Sequence, residues 1–358
     1  MRIIHIVESF GGGVYSYFKD LAVFFSQYPD IETYIIYSNK RKEITQDQID
    51  QDFSPSIRLI PIEMERELRP IQDIRSTFAL RRTLKQLQPD VIHLHSSKAG
   101  VIGRWACFML QFKHKVYYTP HGYSFLRQDI SSTKQKLFYS IEKLTQLFFG
   151  GTTIACGDTE FKIAKKIGPS LLVRNGIDLS HLNQHYIEKE NSSSQLVIGT
   201  IGRISYQKNP SLFNAVALQF PQHQFIWIGD GELRHLLTAP NITISGWFTN
   251  NTAVFPYLNQ LDLYMQTSLW EGLPIAVLEA MAFRKPIIAT DVIGNNDIVE
   301  PQHNGFLFTK ETDLLPLLAQ LEHEDYRKKM GQQAYAICQS KFDKNKNFGE
   351  LLAIYQAQ

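Results

Sequence analysis

The stretch that decides the fold is Glu271–Phe283, which reads EGLPIAVLEAMAF. A strand-like run, Leu261–Met265, precedes it, and Pro274 suits the first turn of a helix, where its missing N–H costs nothing. Glu279 then falls in the second turn, with only apolar neighbours three and four residues away. Such a carboxylate must be paired, hydrogen-bonded or protonated. Because Glu271 stands just before the helix, where free N–H groups favour an anion, the two acids should frame a pocket for a polyhydroxyl ligand. The alternative is a helix-entry acid plus a core acid satisfied by a neighbour.

The composition is that of an ordinary globular protein. At 358 residues, with 44% hydrophobic and 20% charged residues, two folded domains are expected and a disordered chain is excluded. No apolar run reaches the roughly 18–20 residues that cross a bilayer, and the N-terminal run is strand-like and not a signal peptide. The three cysteines are an odd number and far apart, so we expect reduced core thiols in a cytoplasmic protein.

Charge is divided unevenly along the chain. Residues 1–180 contain 24 Lys and Arg against 18 Asp and Glu, a net charge of +6, whereas residues 181–358 contain 13 against 17, a net charge of −4. We therefore expect only the first half to face an anionic surface, and we expect no nucleic-acid partner. Random scatter of surface charge is the alternative.

Short β-branched runs alternate with amphipathic stretches in each half, which is the βα pattern of a parallel sheet. A polar segment rich in Asn, Glu and Ser separates the two series. The sequence predicts an α/β protein with an N-terminal Rossmann-like domain over residues 1–182, a linker over 183–195 and a C-terminal Rossmann-like domain over 196–340. Residues 341–358 should form a last helix that crosses back to the first domain. Ligands of such sheets bind at the carboxyl ends of strands, so we expect a site in a cleft between the domains.

A glycine run follows the first predicted strand. Gly12 and Gly13 lie directly before a helical pattern, where glycine lets backbone amides approach an anion at the helix N-terminus. The run is not a full Gly-x-Gly-x-x-Gly motif, so a dinucleotide site fits poorly. A tight turn without a ligand is the alternative.

A second candidate follows the first strand of the second half. The segment Gly202–Pro210 reads GRISYQKNP, and its last two residues suit the N-cap and first position of a helix. Arg203 and Lys208 would therefore flank a helix N-terminus. A guanidinium, an ammonium and a positive dipole end together suit a diphosphate, with two solvated surface cations as the alternative.

Histidines follow two strands of the first half. His121 lies in TPHGYSF, where it could form a hydrogen bond to a sugar, although a structural role is equally compatible with the pattern. His93 and His95 are spaced as a metal-ligand pair, but we find no further ligand set in the sequence. The sequence therefore predicts no metal site.

Together these segments resemble the retaining family-4 glycosyltransferases of the GT-B fold. The resemblance rests on the Glu-x7-Glu pair followed by Ala-Met-Ala, on the Gly-Arg…Lys segment and on the Asn-Gly-x-Asp turn at residues 175–178. It implies two Rossmann-like domains that face each other across a cleft and a nucleotide-sugar donor, UDP-linked. Asn209 and Arg284 depart from the family pattern, because relatives often carry Gly at these two points.

The resemblance also implies roles for individual residues. Arg203 and Lys208 would neutralise the donor diphosphate, His121 would lie over the donor sugar, and Glu279 would bind the ribose hydroxyls. No divalent metal, other cofactor or covalent nucleophile is expected. The catalytic candidates are thus Glu271, His121, Arg203 and Lys208. The donor-binding candidates are Gly12, Gly13, Arg203, Lys208, Gly246, Trp247, Glu271, Gly272, Leu273, Pro274 and Glu279.

The His-Ser-Ser-Lys-Ala-Gly and His-Gly-Tyr-Ser-Phe segments resemble those of bacterial capsule, O-antigen and exopolysaccharide transferases. This implies transfer of a hexose or N-acetylhexosamine to a lipid-linked or saccharide acceptor, at the inner face of the cytoplasmic membrane. The predicted helix over 71–87 carries Arg75, Arg81, Arg82 and Lys85 and could lie near anionic headgroups. The alternatives are a GT-B sugar-nucleotide epimerase, a glycoside phosphorylase or a non-catalytic sugar-nucleotide-binding protein. The sequence does not name the sugar or the acceptor.

Overall fold

Two all-parallel sheets, each with its own helices, organise the chain. The computed structural model describes residues 1–8, 10–39, 44–65, 67–110, 114–189, 195–248 and 251–357. Its contacts divide the chain into a first unit, Met1–Asn175 with Asn345–Gln358, and a second unit, Gly176–Lys344.

The first unit contains a seven-stranded sheet in the order β3-β2-β1-β4-β5-β6-β7. Its strands are β1 (Arg2–Val7), β2 (Glu32–Tyr37), β3 (Ile57–Pro61), β4 (Val91–His95), β5 (Lys115–Thr119), β6 (Thr152–Ala155) and β7 (Ser170–Leu172). Its helices before the chain leaves the unit are α1 (Gly12–Phe25), α2 (Gln46–Asp52), α3 (Pro70–Leu87), α4 (Ser97–Phe108), α5 (Ser132–Phe149) and α6 (Asp158–Ala164).

Both faces of this sheet are buried, as in other parallel sheets covered by helices. Successive side chains of a strand point to opposite faces. In β1, Ile4 and Ile6 join one core cluster, whereas Ile3 and Val7 join the other. The alternation matters for the site, because His5 lies between Ile3 and Val7 and is fully buried on their face of the sheet.

The second unit contains a six-stranded sheet in the order β10-β9-β8-β11-β12-β13. Its strands are β8 (Val197–Ile201), β9 (Gln224–Ile228), β10 (Ile242–Ile244), β11 (Leu263–Gln266), β12 (Ile287–Thr290) and β13 (Gly305–Phe308). Its helices are α7 (Leu179–His185), α8 (Pro210–Gln219), α9 (Phe255–Gln260), α10 (Ile275–Ala282), α11 (Leu314–Leu321) and α12 (Glu324–Lys341).

The last helix, α13 (Lys344–Gln356), packs in the first unit. Phe348, Leu351, Leu352 and Tyr355 are buried in the same cluster as the aromatic residues of α1. These apolar positions recur every three or four residues, so one face of α13 completes the core over one side of the first sheet.

The unit boundary differs from the expected one. We predicted that the first domain extends to residue 182 and is followed by a linker over 183–195, but the contacts assign Gly176 and everything up to Lys344 to the second unit. The Asn259 side chain accepts a hydrogen bond from Ile187 N and donates one to His185 O, and Lys189 forms an ion pair with Asp262. The described part of the polar segment is therefore attached to the second unit, while residues 190–194 lie outside the described residues.

No helix in the described ranges is both long enough and apolar enough to cross a membrane.

Candidate active site

The second sheet changes direction between β8 and β11. From β8 the chain moves outward through β9 to β10, and from β11 it moves the other way through β12 to β13. In open parallel sheets, ligands bind beyond the carboxyl ends of the strands at this point, because the loops there diverge. Lys208 follows β8 and Glu271 follows β11, so the strand order brings together two candidates that are 63 positions apart in sequence.

Glu271 is the centre of a dense hydrogen-bond network. Its Oε1 accepts from Lys208 Nζ at 2.7 Å, from Gln266 Nε2 at 2.9 Å and from Ser268 Oγ at 2.6 Å. Its Oε2 accepts a longer bond of 3.3 Å from Gln207 Nε2. The residue is 9% exposed, so the ion pair with Lys208 supplies the partner that a buried carboxylate requires. Oε1 has its full set of donors, whereas Oε2 retains capacity to accept.

Lys208 is held by the backbone around it. The segment Tyr206–Lys208 forms one 3-10 turn, and Asn209 after it has φ +51° and caps α8 by accepting from Leu212 N. The expected N-cap and Pro210 start of α8 are therefore confirmed. The left-handed backbone favours Gly, and Asn is among the few other residues that adopt it readily.

The Arg203 loop is fixed by contacts with the next strand. The indole of Trp227 donates to Gly202 O at 2.8 Å, and Ile204 N donates to Asp230 O at 2.9 Å. A Cβ at Gly229 would lie 2.3 Å from Gly202 O, so only glycine permits this approach. Arg203 itself is exposed, at the rim of the loop that ends in Lys208.

The helix after Glu271 differs from the expectation in two respects. It begins at Ile275, so Pro274 is the N-cap and not the first helical residue, and it contributes no N–H. Glu279 is partly buried, and of its four neighbours Ala282 and Phe283 are buried while the two near the helix start are partly exposed. The four neighbours are apolar as predicted, but only two of them are buried, so Glu279 is not enclosed by apolar side chains.

The loop after β12 packs on the Glu271 loop, which the sequence gave no reason to expect. A Cβ at Gly294 would lie 2.5 Å from Gly272 O and 2.7 Å from Glu271 Cβ, and Gly294 has φ +88°. In addition, Glu271 N donates to Ile293 O at 3.2 Å. The structural role of Gly294 is therefore to let the two loops touch.

Gly246 and Trp247 follow β10. Gly246 has φ +81°, and a Cβ there would meet no described atom within 4 Å. Trp247 is 62% exposed, so its indole is not packed in the core and is available to a partner.

Gly12 and Gly13 lie at the carboxyl end of β1 in the first unit. Gly11 is the N-cap of α1 and Gly12 has φ +56°, so the tight turn requires glycine. Both residues are exposed, and a Cβ on either would meet no described atom within 4 Å. The N-terminal amides of α1 are therefore accessible, as an anion site would need.

His121 follows β5 in the first unit and has φ +51°, a conformation that non-glycine residues seldom adopt. Burial lowers its pKa to about 4. Its Nε2 lies 3.0 Å from Nδ1 of His95, at the end of the neighbouring strand. His121 is therefore a neutral imidazole at neutral pH, held by a second one.

The structure adds His5 to the pair His93 and His95, and one ligand atom of each lies within 4.8 Å of the others. The sequence gave no signal for this, because a histidine inside a buried strand looks like a core residue. Hydrogen bonds already engage both nitrogens of His93, to Tyr355 Oη and to Thr119 Oγ1, and both nitrogens of His95. A metal would have to break these bonds, so we continue to predict that none binds.

Comparison with known proteins assigns the chain to a family. Residues 195–321 match the profile described as Glycosyl transferases group 1, and residues 39–149 match the Glycosyl transferase 4-like domain. An Escherichia coli protein described as UDP-Gal:alpha-D-GlcNAc-diphosphoundecaprenol alpha-1,3-galactosyltransferase is 30% identical over 272 residues, 68% of each chain. The chain belongs to the group 1 glycosyltransferases.

Further comparisons agree with this membership. The O-antigen biosynthesis glycosyltransferase WbnH of Escherichia coli is 27% identical to this glycosyltransferase over 249 residues, 67% of this chain and 69% of WbnH. Sucrose-phosphate synthase from Thermosynechococcus elongatus superposes with a TM-score of 0.80 over 99% of this chain and 98% of its own, at 16% identity. The predicted α/β fold class, GT-B with two Rossmann-like units, is confirmed.

Proposed function

We propose that this glycosyltransferase transfers a hexose or N-acetylhexosamine from a UDP-sugar to a hydroxyl of a lipid-linked or saccharide acceptor in bacterial surface polysaccharide synthesis, with retention and without a divalent metal. The observation that carries the proposal is the Lys208–Glu271 pair at the point where the second sheet changes direction. It supplies a cation for a diphosphate and a carboxylate oxygen for a sugar within one small region.

The donor diphosphate would bind beside Lys208. The ammonium has three N–H groups, and the bond to Glu271 uses one of them. Arg203 on the same loop and the N-terminus of α8, capped by Asn209, add positive charge and dipole. These groups would neutralise the diphosphate as it leaves, which is the task that a metal performs in other transferases.

The sugar and the ribose would bind on the loop and helix after β11. Glu271 Oε2, with its single 3.3 Å bond, would accept from a sugar hydroxyl, and the N–H groups of Gly272 and Leu273 would donate. Glu279, one helical turn further, would accept from the ribose hydroxyls. Trp247, being exposed, would stack on the base.

The reaction would proceed on one face of the sugar. The bond from the anomeric carbon to the acceptor oxygen forms while its bond to the phosphate oxygen breaks, and the departing phosphate takes the proton of the acceptor hydroxyl. Glu271 is a poor candidate for a covalent nucleophile, because its charge is paired with Lys208 and Oε1 accepts three hydrogen bonds, both of which withdraw electron density from the carboxylate as a whole. Its role would be to position Lys208 and the sugar.

The relative from Escherichia coli supports a UDP donor and a lipid-diphosphate acceptor, since its description names both. The first unit, in turn, has the charge expected of a protein that meets anionic lipid. It contains 25 Lys and Arg against 18 Asp and Glu, a net charge of +7, and the second unit contains 12 against 17, a net charge of −5. We infer that the enzyme works as a peripheral protein at the inner face of the cytoplasmic membrane.

Helix α3 offers a surface for that contact. Ile71, Ile74 and Phe78 are 72%, 44% and 52% exposed, and their spacing puts them on one side of the helix, with the exposed Arg75 and Arg82. Apolar side chains flanked by cations on one helix face are typical of interfacial membrane contacts. Arg81, which the sequence had grouped with these cations, is partly buried beside Met109 O and does not belong to the face.

The experiment that tests the proposal is a donor and acceptor screen. Purified enzyme is incubated with a panel of UDP-sugars and a short-chain polyprenyl diphosphate that carries one N-acetylhexosamine, and products are measured by mass spectrometry with and without EDTA. A single added sugar that needs the acceptor, and that persists in EDTA, is expected. UDP-sugar interconversion without acceptor, phosphorolysis, or binding without turnover would instead support the epimerase, the phosphorylase or the non-catalytic alternative.

A further inference from the structure

Three imidazoles of the first unit form a continuous hydrogen-bonded line. His5 Nδ1 lies 3.0 Å from His95 Nε2, and His95 Nδ1 lies 3.0 Å from His121 Nε2. His5 is in the middle of β1, His95 ends β4 and His121 follows β5, so three adjacent strands contribute one ring each. The line therefore leads from the core to the candidate catalytic histidine.

All three rings are neutral at working pH. Burial lowers the pKa of His5 to about 3 and that of His121 to about 4, and burial together with the neighbouring histidines lowers the pKa of His95 further below its usual value. Each ring therefore has one N–H and one lone pair. Because every hydrogen bond needs one of each, the tautomer of any ring fixes the tautomers of the other two.

The inner end of the line selects between the two possible directions. Among the described residues, His5 Nε2 is buried and has no hydrogen-bond partner. In one direction each ring is protonated on Nε2 and donates towards the core, so His5 Nε2 would carry an N–H without an acceptor. In the other direction each ring is protonated on Nδ1 and donates towards His121, which leaves only a lone pair without a donor at His5 Nε2. Buried N–H groups without partners are the rarer and costlier case. His5 is therefore protonated on Nδ1, and so are His95 and His121.

We propose that His5 and His95 are positioning residues that fix the tautomer of His121, so that its Nδ1–H is presented to substrate as a hydrogen-bond donor. None of the described residues forms a hydrogen bond with His121 Nδ1, and the positive φ of His121 is a strained conformation of the kind retained at functional sites. Only the identity of the accepting oxygen, on a substrate of the transferase, rests on the proposed function. In this tautomer His121 cannot act as a base through Nδ1.

His93 provides a matched control within the same strand. His93 is as buried as His95, and its tautomer is set by other partners. Thr119 Oγ1 donates to Ile154 O and therefore accepts from His93 Nε2. His93 Nδ1 then accepts from the Tyr355 hydroxyl. The His93 ring contacts the rings of His5 and His95, but His93 makes no hydrogen bond with any of the three histidines of the line. A change at His93 disturbs packing without altering the direction of the protons.

The test is the ¹⁵N spectrum of histidine-labelled enzyme, which separates protonated from unprotonated ring nitrogens. The His121 signals are assigned with H121Q, and the variants are His5→Met, His95→Met, His95→Gln and the control His93→Gln. Wild type should show His121 protonated on Nδ1. A Met thioether can accept a hydrogen bond but cannot donate one, so both Met variants should shift His121 towards the Nε2–H form. His95→Gln, which can accept from His5 and donate to His121, should keep the Nδ1–H form. His93→Gln should leave it unchanged.

Turnover and UDP binding are measured on the same samples. We expect kcat to fall about tenfold in His5→Met, the worth of roughly one hydrogen bond to a reacting group, with UDP affinity unchanged because the Lys208 site belongs to the other unit. Protonation of His121 on Nε2 in wild type, unchanged His121 signals in both Met variants, or stoichiometric Zn²⁺ binding that shifts all three rings would overturn the proposal. A wild-type enzyme that transfers no sugar would refute the proposed function alone, since the tautomer is read without substrate.

Discussion

The Lys208–Glu271 pair predicts that its two members respond differently to substitution. Lys208→Met removes a charged donor to the diphosphate, worth about 1.5–3 kcal/mol, so UDP should bind roughly 10- to 150-fold more weakly. It also leaves the 9% exposed Glu271 without its cation. Glu271→Gln keeps the shape of the side chain and leaves Lys208 without a counter-charge. UDP should then bind as in wild type or more tightly, while kcat falls because the contact with the sugar is weakened.

Stability provides a second readout of the same pair. Breaking a buried ion pair on one side costs about 3–5 kcal/mol, and because the Lys208 side chain is 18% exposed the cost of Lys208→Met should be nearer 2–3 kcal/mol. Glu271→Gln exchanges charged for neutral hydrogen bonds and should cost about 1–2 kcal/mol. The loss of stability in the double variant should be about 1–2 kcal/mol smaller than the sum of the two single losses, because the double variant leaves neither charge without its partner.

Calorimetry with UDP and urea unfolding of the four proteins make the comparison. Loss of UDP binding in Glu271→Gln to the same extent as in Lys208→Met would show that the diphosphate site needs the carboxylate as much as the ammonium, and would contradict the different roles assigned to them. Strictly additive stabilities would show that the ion pair contributes nothing, and the account of Glu271 as an anchor for Lys208 would be wrong.

Three further predictions concern other parts of the molecule. Glu279→Gln should weaken donor and free UDP alike by calorimetry, since it binds the ribose common to both; a loss of kcat alone would contradict this. Phe78→Glu on α3 should reduce co-sedimentation with anionic vesicles at low salt. Leu315→Glu should not, although it makes the same charge change at a 59% exposed leucine of the second unit. Equal effects of the two substitutions would exclude α3 as the membrane contact. Acidification should destabilise the first unit, because burial lowers the pKa of its core histidines. Between pH 6.5 and the lower pKa values of the folded state, the unfolded chain binds protons that the folded chain does not. The stability that these neutral rings contribute above pH 6.5 is lost as pH falls, by about 1.4 kcal/mol for each ring between pH 7.5 and 5.5. Urea titrations that give equal free energies of unfolding at pH 7.5 and 5.5 would refute this prediction. The rings concerned are His5, His93 and His95.

The hydrophobic periodicity of the sequence was sufficient to predict the secondary structure. The predicted strand Leu261–Met265 lies within two residues of β11, and the predicted alternation of strands and helices in each half is observed, because short β-branched runs between amphipathic helices have few other solutions. The departures from the family pattern were also informative, since Asn209 and Arg284 both have positive φ, a backbone conformation that favours Gly.

The order of strands in the sheet could not be read from the sequence, and the details of the site depend on it. That Lys208 and Glu271 form an ion pair follows from β8 and β11 being neighbours, which no local signal indicates. The alignment of His5 with His93 and His95 likewise requires the pairing of β1 with β4. The polar segment near residues 183–195 looked like a linker by composition, yet its described part is tied to the second unit by hydrogen bonds that it donates to side chains over 70 positions away.

The measurement that tests the central claim most directly is NMR of the anomeric protons during turnover in EDTA. Wild-type enzyme is mixed with the UDP-sugar found in the screen and its acceptor, and the anomeric signal of the donor is followed as the signal of the product grows. The account predicts that the first product formed has the same anomeric configuration as the donor, at a rate that EDTA does not change and that Lys208→Met reduces at limiting donor. A product of inverted configuration, or a reaction that stops in EDTA and resumes with Mn²⁺, would contradict it.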